Sequence, residues 1–183
     1  EALLEIAALD HKWISQKGKT PKAKEIVATQ LSAFFRRYQD RNDEKYGEIF
    51  VTDAKGANVA MTKTLSDYYQ ADESWWKESF AGGKGAVFID DRGYDESVGA
   101  IVAGAVVPVR DGGEVLGILK INYKVIDIIN VAADVGKNIA IAIARNSGSL
   151  VISPGVERPL TTTGPEKRIM GKIKGGWVLG VHD

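Results

Sequence analysis

The chain contains no cysteine, and this absence removes several classes of chemistry at once. Disulfide frameworks, thiolate metal sites and cysteine nucleophiles all require the missing sulfur. Histidine is scarce too, with only His11 and His182 in the sequence. Neither a metal-binding histidine pair nor a Ser/His/Asp arrangement can be assembled from these two residues. We therefore expect no catalytic residues, no metal and no cofactor, and we do not expect this fragment to be an enzyme.

An excess of charge of one sign is also lacking, because 24 Lys and Arg balance 24 Asp and Glu among the 183 residues. Without clustered basic side chains to neutralise phosphates, no nucleic-acid partner is expected. No apolar run approaches the roughly 18 residues of a transmembrane helix, and no signal peptide is visible. The content of 44% hydrophobic and 26% charged residues is typical of a folded globular protein.

The two ends of the sequence resemble cut ends. Glu1 opens a helical pattern with no capping residue before it, and Asp183 directly follows a strand-like run. We interpret the chain as a fragment of a longer protein, and we expect the removed flanks to include membrane spans.

Residues 1–45 carry apolar side chains at helical spacing. The apolar positions are Leu3, Ile6, Leu9, Trp13, Ile14, Val27, Leu31, Phe34, Phe35 and Tyr38. Gly18 interrupts the pattern. Thr20 followed by Pro21 is a helix-start signal, since the threonine hydroxyl can cap the free N–H groups of the first turn and a proline in that turn loses no hydrogen bond. The pattern predicts one long helix or two stacked helices, which form a helical stalk.

Beyond residue 45 the pattern changes to short strands separated by turns. Strands are predicted at 48–52, 58–62, 86–90, 100–109 and 114–123, followed by a helix at 125–133. Gly56 and Gly112 stand in the turns of two predicted hairpins, where a positive φ is needed. The sequence therefore predicts an α+β fold with an antiparallel sheet module at 46–135.

A second, smaller β-rich module is predicted at 136–183. Its strands are expected at 138–144, 149–153, 172–173 and 177–181, with a loop rich in Pro, Gly and Thr at 154–165. About fifty residues form a marginal domain alone. Both modules share the order strand, glycine turn, strand and irregular stretch, which indicates a degenerate internal duplication.

The segment 67–99 is the most informative part of the chain. It contains a predicted helix at 72–80, and connections this long are usually functional lids or disordered. The four aromatic residues Tyr68, Tyr69, Trp75 and Trp76 argue against disorder. We therefore expect this segment to form the lid of a small-molecule pocket.

Four segments in order resemble the Cache (PAS-like) extracytoplasmic sensor family. They are Phe50-Val51-Thr52-Asp53-Ala54-Lys55-Gly56, Asp67-Tyr68-Tyr69-Gln70-Ala71-Asp72-Glu73-Ser74-Trp75-Trp76, Tyr94-Asp95-Glu96-Ser97, and Val107-Pro108-Val109 with Asp111-Gly112-Gly113-Glu114-Val115-Leu116-Gly117. The resemblance covers about residues 1–135. It implies a long N-terminal helix that carries a membrane-distal PAS-like module, here with a reduced membrane-proximal module.

The resemblance also implies a function. Members are sensor portions of histidine kinases, of chemotaxis receptors and of cyclic-di-nucleotide enzymes, and they bind small organic ligands between the sheet and the lid. A histidine kinase of a two-component system is the first expectation for this chain. The full-length protein would be a membrane-anchored homodimer with this part outside the cytoplasm, periplasmic or extracellular.

Seven residues are the candidate ligand-binding set: Tyr69, Trp75, Trp76, Tyr94, Asp95, Lys120 and Asn122. Adjacent helix residues point about 100° apart, so one of Trp75 and Trp76 can pack on the sheet while the other closes a cavity; the alternative is that both lie in the core. Lys120 and Asn122 share one strand face. The alternative for Lys120 is a position facing solvent.

The ligand is expected to be a small polar organic molecule of undetermined charge. The amino-acid-binding branch of the resembled family has an Arg where this chain has Glu73 and an Asp where it has Asn122. The acidic segment 90–96 favours a solvated turn or part of the ligand site over a cation site. Two other functions stay open, namely a ligand-free dimerisation module that uses the N-terminal helices and a cytoplasmic PAS-type domain with a cofactor.

Overall fold

The computed structural model describes residues 1–42, 45–95, 100–125, 143–144 and 150–152, and the side chains within 1–42, 45–90 and 102–125. The elements are α1 (Ala2–Ser15), α2 (Pro21–Val27), α3 (Gln30–Asp40), β1 (Tyr46–Asp53), β2 (Asn58–Met61), α4 (Ser74–Phe80), a 3₁₀ turn (Ala81–Gly83), β3 (Phe88–Asp95), β4 (Ala100–Asp111), β5 (Glu114–Lys124), β6 (Ile143–Ala144) and β7 (Leu150–Ile152). Helices followed by an antiparallel sheet confirm the predicted α+β class.

The N-terminal segment is helical as predicted, but it forms three helices rather than one or two. The first break lies at Gly18, whose φ is +74°, and a Cβ there would come within 2.3 Å of the side chain of Thr64. Helix α2 then begins as expected, because the Thr20 hydroxyl accepts a hydrogen bond of 3.1 Å from the backbone N–H of Ala23 and Pro21 occupies the first turn.

The second break, between α2 and α3, was not predicted. Thr29 caps α3 with a hydroxyl that accepts a hydrogen bond of 3.1 Å from the backbone N–H of Ser32. The buried Ser32 hydroxyl in turn donates to the carbonyl of Ile26 at 2.7 Å and accepts from the N–H of Met61 at 2.9 Å. The break is therefore tied to the sheet through Met61, which ends β2.

The sheet has five strands in the order β2-β1-β5-β4-β3. Strand β1 lies antiparallel to both β2 and β5. The two turn glycines have the predicted conformation, with φ of +88° at Gly56 and +55° at Gly112. Each of the five predicted strands overlaps an observed strand, and the predicted helix at 72–80 is observed as α4.

Register between β1 and β5 assigns six side chains to one side of the sheet, here called the inner face. The pairs are Glu48 with Asn122, Phe50 with Lys120 and Thr52 with Ile118. The larger hydrophobic core packs against Phe50 and Ile118 and includes Trp13, Met61, Trp75 and Trp76. A smaller core on the opposite face joins Ile49 and Val51 to Phe35 of α3.

Helix α1 holds the long connection that leads from β2 to α4. The carboxylate of Asp10 accepts hydrogen bonds from the backbone N–H groups of Tyr68 at 2.8 Å and Tyr69 at 3.0 Å. The indole of Trp13 donates to the carbonyl of Leu65 at 2.9 Å and stacks on Tyr68 at a centroid distance of 5.5 Å. These contacts fix the chain immediately before α4 and so set the position of that helix.

The chain divides into two compact units, of which the first comprises Glu1–Asp91 and Ala103–Tyr123. In the second, β6 pairs with β7 in antiparallel orientation, within the two segments where the first strands of the smaller module are predicted. The helix predicted at 125–133 and the strands predicted at 172–173 and 177–181 lie outside the described residues. Among the described residues, no helix combines the length and apolar character needed to cross a membrane.

Candidate ligand-binding site

Four buried polar side chains lie close together at one end of the inner face and are called here the polar cluster: Glu48, Asp90, Lys120 and Asn122. Their exposed fractions are 6%, 8%, 4% and 4%. The ammonium of Lys120 lies 2.5 Å from Oδ2 of Asp90. The amide of Asn122 donates to Oε2 of Glu48 at 3.2 Å, and the other oxygen of Glu48 lies 3.2 Å from Nζ of Lys63. The cluster therefore contains one ion pair, one amide and a carboxylate that is paired with Lys63 outside the cluster.

Trp75 of α4 covers this cluster from the helix side. Its ring lies 4.3 Å from the Lys120 ammonium, a cation–π contact. The same ring meets Phe50 edge to face at a centroid distance of 5.7 Å. Trp75 thus lies at the boundary where the apolar part of the inner face meets the polar cluster.

Trp76, the next residue of α4, packs elsewhere, as the divergence of adjacent helix positions predicts. Its indole donates to the hydroxyl of Thr52 at 2.9 Å, and its ring stacks on Phe80 at 4.5 Å. Both tryptophans are buried and both belong to the larger core. The alternative that both are core residues therefore describes their burial correctly, while Trp75 alone contacts the polar cluster.

Gly104 of β4 provides the space in which the cluster's side chains converge. A Cβ at this position would lie 2.9 Å from Cε of Lys120, 3.1 Å from Cβ of Asp90 and 3.2 Å from Oδ1 of Asn122. Its backbone φ is not positive, so conformation alone does not demand glycine there. Glycine is favoured at this position because a side chain would collide with the three polar side chains beside it.

Charged side chains like those of the polar cluster are unusual in a protein interior, because burying each ion costs several kcal/mol of desolvation. Well-packed hydrophobic residues in their place are often at least as stabilising. The sheet could have continued the apolar pattern of Phe50 and Ile118 into this end. Convergent polar groups beside aromatic rings are the usual composition of a small-molecule site. The cluster is therefore the candidate site of the first unit.

Of the residues predicted from the sequence, Trp75, Lys120 and Asn122 come together in this cluster. The alternative of a solvent-facing Lys120 is wrong, since only 4% of that residue is exposed. Tyr69 is half-buried against the larger core and pairs through its backbone with Ala57. No contact between Tyr69 and the cluster is observed among the described residues.

The predicted site residues Tyr94 and Asp95 lie in β3. Their side chains are outside the described ones, so their place in the site stays a prediction. No group of three His, Asp or Glu side chains that could hold a metal ion occurs in the described part of the chain.

Two members of the cluster are not among the seven predicted site residues, although Asp90 belongs to the acidic segment 90–96, which was interpreted as a solvated turn or part of the ligand site. Asp90 was placed in an acidic segment, yet it stands two residues after Phe88, which packs on the larger core, so strand alternation directs both side chains to the same face. Glu48 likewise shares the face of Phe50. In both cases the available sequence signal was a charged residue two positions from a hydrophobic core residue on the same strand, and therefore on the same face of the sheet.

No family model and no curated protein matches this chain. Solved structures do match, and three are extracellular or ligand-binding domains of receptors. The extracellular domain of rpHK1S-Z16, described as a histidine kinase, superposes with a TM-score of 0.58 and 15% identity over 72% of this chain and 56% of its own. The ligand-binding domain of the Campylobacter jejuni chemoreceptor Tlp3, in complex with L-norvaline, superposes with a TM-score of 0.54 and 10% identity. The match covers 76% of this chain and 54% of the Tlp3 domain.

The third structure is the ligand-binding domain of the Pseudomonas aeruginosa PAO1 amino-acid chemoreceptor PctC in complex with GABA. It gives a TM-score of 0.54 and 15% identity over 84% of this chain and 67% of its own. The chain thus spans about half to two thirds of the length of these structures. The fold implied by the sequence resemblance is confirmed, since the neighbours are extracellular sensor domains of histidine kinases and chemoreceptors.

Proposed function

We propose that this chain is the extracytoplasmic sensor domain of a membrane receptor and that it binds a small polar organic ligand at the polar cluster. A sensor histidine kinase is the first choice for the full-length protein, and a chemotaxis receptor is the second. The observation that carries the proposal is the buried Lys120–Asp90 pair beneath Trp75, at 2.5 Å, on a sheet with the fold of sensor domains. The fragment itself is proposed to bind and transmit rather than to catalyse.

The domain limits predicted from the sequence belong to this proposal. Residues 46–135 would form the membrane-distal ligand-binding module, with 1–45 as its helical stalk and 136–183 as the smaller proximal module. Helix α1 leaves Leu3, Leu4 and Ile14 exposed, which favours a dimer contact along the stalk in the full-length receptor.

The contacts of α1 supply a physical route for the signal. Asp10 and Trp13 hold residues 65–69, and the chain continues from there into α4 and Trp75. A ligand that binds one position of α4 better than another shifts the populations of the two positions. Because α1 is hydrogen-bonded to residues 65–69, which lead into α4, such a shift would be transmitted to the helical stalk.

Thermal unfolding of the purified chain in the presence of amino acids, amides, carboxylates, amines and nucleobases tests the proposal. A ligand that binds only the folded chain at 100 times its Kd stabilises it by about 2.7 kcal/mol, which is a readily measured shift of Tm. If no compound raises Tm, the small-ligand proposal is wrong.

The site itself is tested by a pair of glycine variants. Gly104→Ala places a methyl group within 3.2 Å of three side chains of the candidate site, and we expect it to weaken ligand binding at least tenfold. Gly113→Ala is the matched control, because its φ is not positive and its added Cβ meets no described heavy atom within 4 Å. Equal affinities in the two variants would place the ligand elsewhere.

A further inference from the structure

The connection between α4 and β3, residues 81–87, joins two elements that carry residues of the candidate site, since Trp75 lies on α4 and Asp90 on β3. Glycine is frequent in this connection, and a Cβ at Gly82 would meet no described heavy atom within 4 Å. Four of its residues have a positive φ, between +50° and +88°: Ala81, Gly82, Gly83 and Gly85. Because glycine loses more conformational freedom than other residues when it is ordered, this connection needs contacts from outside to hold it in one arrangement.

Arg110, near the end of β4, supplies such contacts. Its guanidinium donates hydrogen bonds to the backbone carbonyls of Lys84 and Gly85, the latter at 3.0 Å. It also donates to the carbonyl of Gly113 in the turn between β4 and β5, at 3.4 Å. A planar guanidinium presents several donors in fixed directions, which suits it to bridge separate carbonyls. Arg110 therefore ties the connection to the β4–β5 hairpin.

Gly85 allows the guanidinium to approach the backbone this closely. A Cβ at Gly85 would lie 2.4 Å from Nη2 and 2.9 Å from Cζ of Arg110. The φ of Gly85 is +71°, in the left-handed region that other residues seldom adopt. Space and backbone conformation both favour glycine here, so the connection is fitted to the arginine side chain.

Ser79 links the connection to the helix that carries Trp75. Its hydroxyl donates to the carbonyl of Ala86 at 2.8 Å, and its own carbonyl accepts from the N–H of Ala86 at 2.7 Å. The N–H of Gly85 donates to the carbonyl of Phe80 at 3.0 Å. Ser79 is fully buried and stands four residues after Trp75, so both side chains lie on the same face of α4.

The two ends of α4 are thus attached to different parts of the fold. The N-terminal end follows residues 65–69, which α1 holds, and the C-terminal end leads into the connection that Arg110 holds. We propose that Arg110 is a positioning residue of the candidate site: through residues 85–86 and Ser79 it fixes the C-terminal end of α4 and so places Trp75 over the polar cluster. This inference rests on the proposed function, since it concerns the same site.

The proposal gives the movement of α4 a direction. With its C-terminal end fixed to the hairpin, the helix can shift only at the end that residues 65–69 and α1 hold. Arg110 acts on binding through Trp75 and does not itself contact the ligand. Removing the arginine releases the fixed end, so that Trp75 no longer keeps one position beside the Lys120 ammonium.

The first experiment follows Trp75 without any ligand. Fluorotryptophan incorporated at the four tryptophan positions gives a fluorine NMR resonance for each, and Trp75→Phe identifies the one that belongs to Trp75. Arg110→Gln should shift or broaden this resonance, because the ring leaves its position beside the ammonium of Lys120. The resonance of Trp13 should stay unchanged, since that indole is held at the other end of α4 by its bond to Leu65.

Two further variants test the path, and two serve as controls. Arg110→Lys keeps the charge but lacks the planar set of donors and should give an intermediate change. Ser79→Ala breaks the path at a second point and should displace the same resonance. Arg37→Gln and Ser15→Ala should leave it unchanged, because Arg37 is exposed on α3 and the Ser15 hydroxyl bonds within α1.

The second experiment measures the binding of each amino acid, amide, carboxylate, amine or nucleobase that raises the Tm of the wild-type chain. Arg110→Gln should weaken binding about tenfold, and Arg37→Gln should not. A double-mutant cycle with Trp75→Phe should show that the two effects are not additive, because the arginine acts through the ring. Circular dichroism and thermal unfolding establish that each variant is folded, and Arg110→Lys takes the place of Arg110→Gln if the latter is not.

The outcomes separate this inference from the proposed function. If the Trp75 resonance is the same in Arg110→Gln as in wild type, the positioning role is wrong even where a ligand binds. Additive losses in the cycle also overturn it, since Arg110 would then affect binding by another route. If the resonance moves as expected but no compound binds, the path from Arg110 to Trp75 is supported while the proposed ligand site fails.

Discussion

The two ends of the inner face are built on the same two strands, yet they contain opposite kinds of side chain. At one end Thr52 pairs with Ile118, and the Thr52 hydroxyl accepts a hydrogen bond from the indole of Trp76, a contact between neutral groups. At the other end Glu48 and Asn122 face each other beside a buried ion pair. Trp75 touches both ends, through Phe50 and through Lys120.

The two ends differ in how much their side chains can stabilise the fold, and this difference indicates which end has a binding role. The apolar end gains free energy in proportion to the apolar area removed from water, about 25 cal/mol per Å². The polar end loses solvation of three buried ionic groups and recovers part of it through close pairing. A fold that needed only stability has no use for the second arrangement, so the polar end is where a binding role is expected to reside.

The largest effect is expected from breaking the ion pair at the polar end. Lys120→Met removes the ammonium that lies 2.5 Å from the buried Asp90 carboxylate and should lower the free energy of unfolding by about 3–5 kcal/mol. Replacing both residues, in Lys120→Met/Asp90→Leu, should restore most of this loss, since a packed apolar pair often equals a buried ion pair. Urea denaturation of the two variants measures both values. If the double variant is as unstable as the single one, the pair is not the source of the cost.

A smaller effect is expected at the apolar end, where Ile118 is fully buried. Ile118→Ala should cost about 3 kcal/mol through lost burial and the cavity left behind, with ligand affinity of the folded protein nearly unchanged. Asn122→Ala is the matched variant, four residues along the same face of β5. It should cost about 1.5–3 kcal/mol, because the buried carboxylate of Glu48 loses a hydrogen-bond donor, and it should abolish ligand binding. Denaturation and titration of both proteins check the comparison, and similar binding in the two would remove the distinction between the ends.

A third test concerns the hydrogen bond that Trp76 makes at the apolar end. Trp76→Phe keeps an aromatic ring over Phe80 but removes the N–H that donates to Thr52 at 2.9 Å. The expected loss is about 1–2 kcal/mol, because the buried hydroxyl of Thr52 loses its donor. The double variant Trp76→Phe/Thr52→Val should be closer to wild type than the single variant. Chemical denaturation of the two proteins decides this, and additive losses would contradict it.

The fold could be predicted largely from the sequence because its signals are local. Alternation and turn glycines located the strands, and the Thr20–Pro21 signal located the start of α2. The α2–α3 break was missed although Thr29 and Ser32 stand at capping distance, because the apolar spacing continues across it. Local periodicity does not reveal that the backbone turns between two in-phase segments.

The site was only partly predictable, because its composition depends on pairing between distant strands. Trp75, Lys120 and Asn122 were chosen from the helix and from one strand. Asp90 is 30 residues from Lys120, and Glu48 is 74 residues from Asn122. Only the strand order and register bring these partners together, and neither follows from a single sequence.

The smallest effect is expected at Asp67, a carboxyl group that differs from those of the polar cluster. It accepts hydrogen bonds from Gln70 and Ser66, and no cation lies within ion-pair distance of it among the described side chains. Burial raises its pKa, and these two hydrogen bonds oppose the rise only in part. The folded chain therefore binds this proton more tightly than the unfolded chain does.

Because its folded-state pKa is the higher one, Asp67 contributes less stability as pH rises from the ordinary carboxyl range through the raised pKa. Asp67→Asn removes this dependence and keeps a carbonyl oxygen as acceptor for Gln70. The free energy of unfolding of wild type relative to Asp67→Asn should therefore fall as pH rises above about 4, the ordinary carboxyl pKa, measured by urea denaturation at several pH values. A difference that is constant with pH, or that grows, would mean that the hydrogen bonds from Gln70 and Ser66 fully offset the partial burial of this carboxylate.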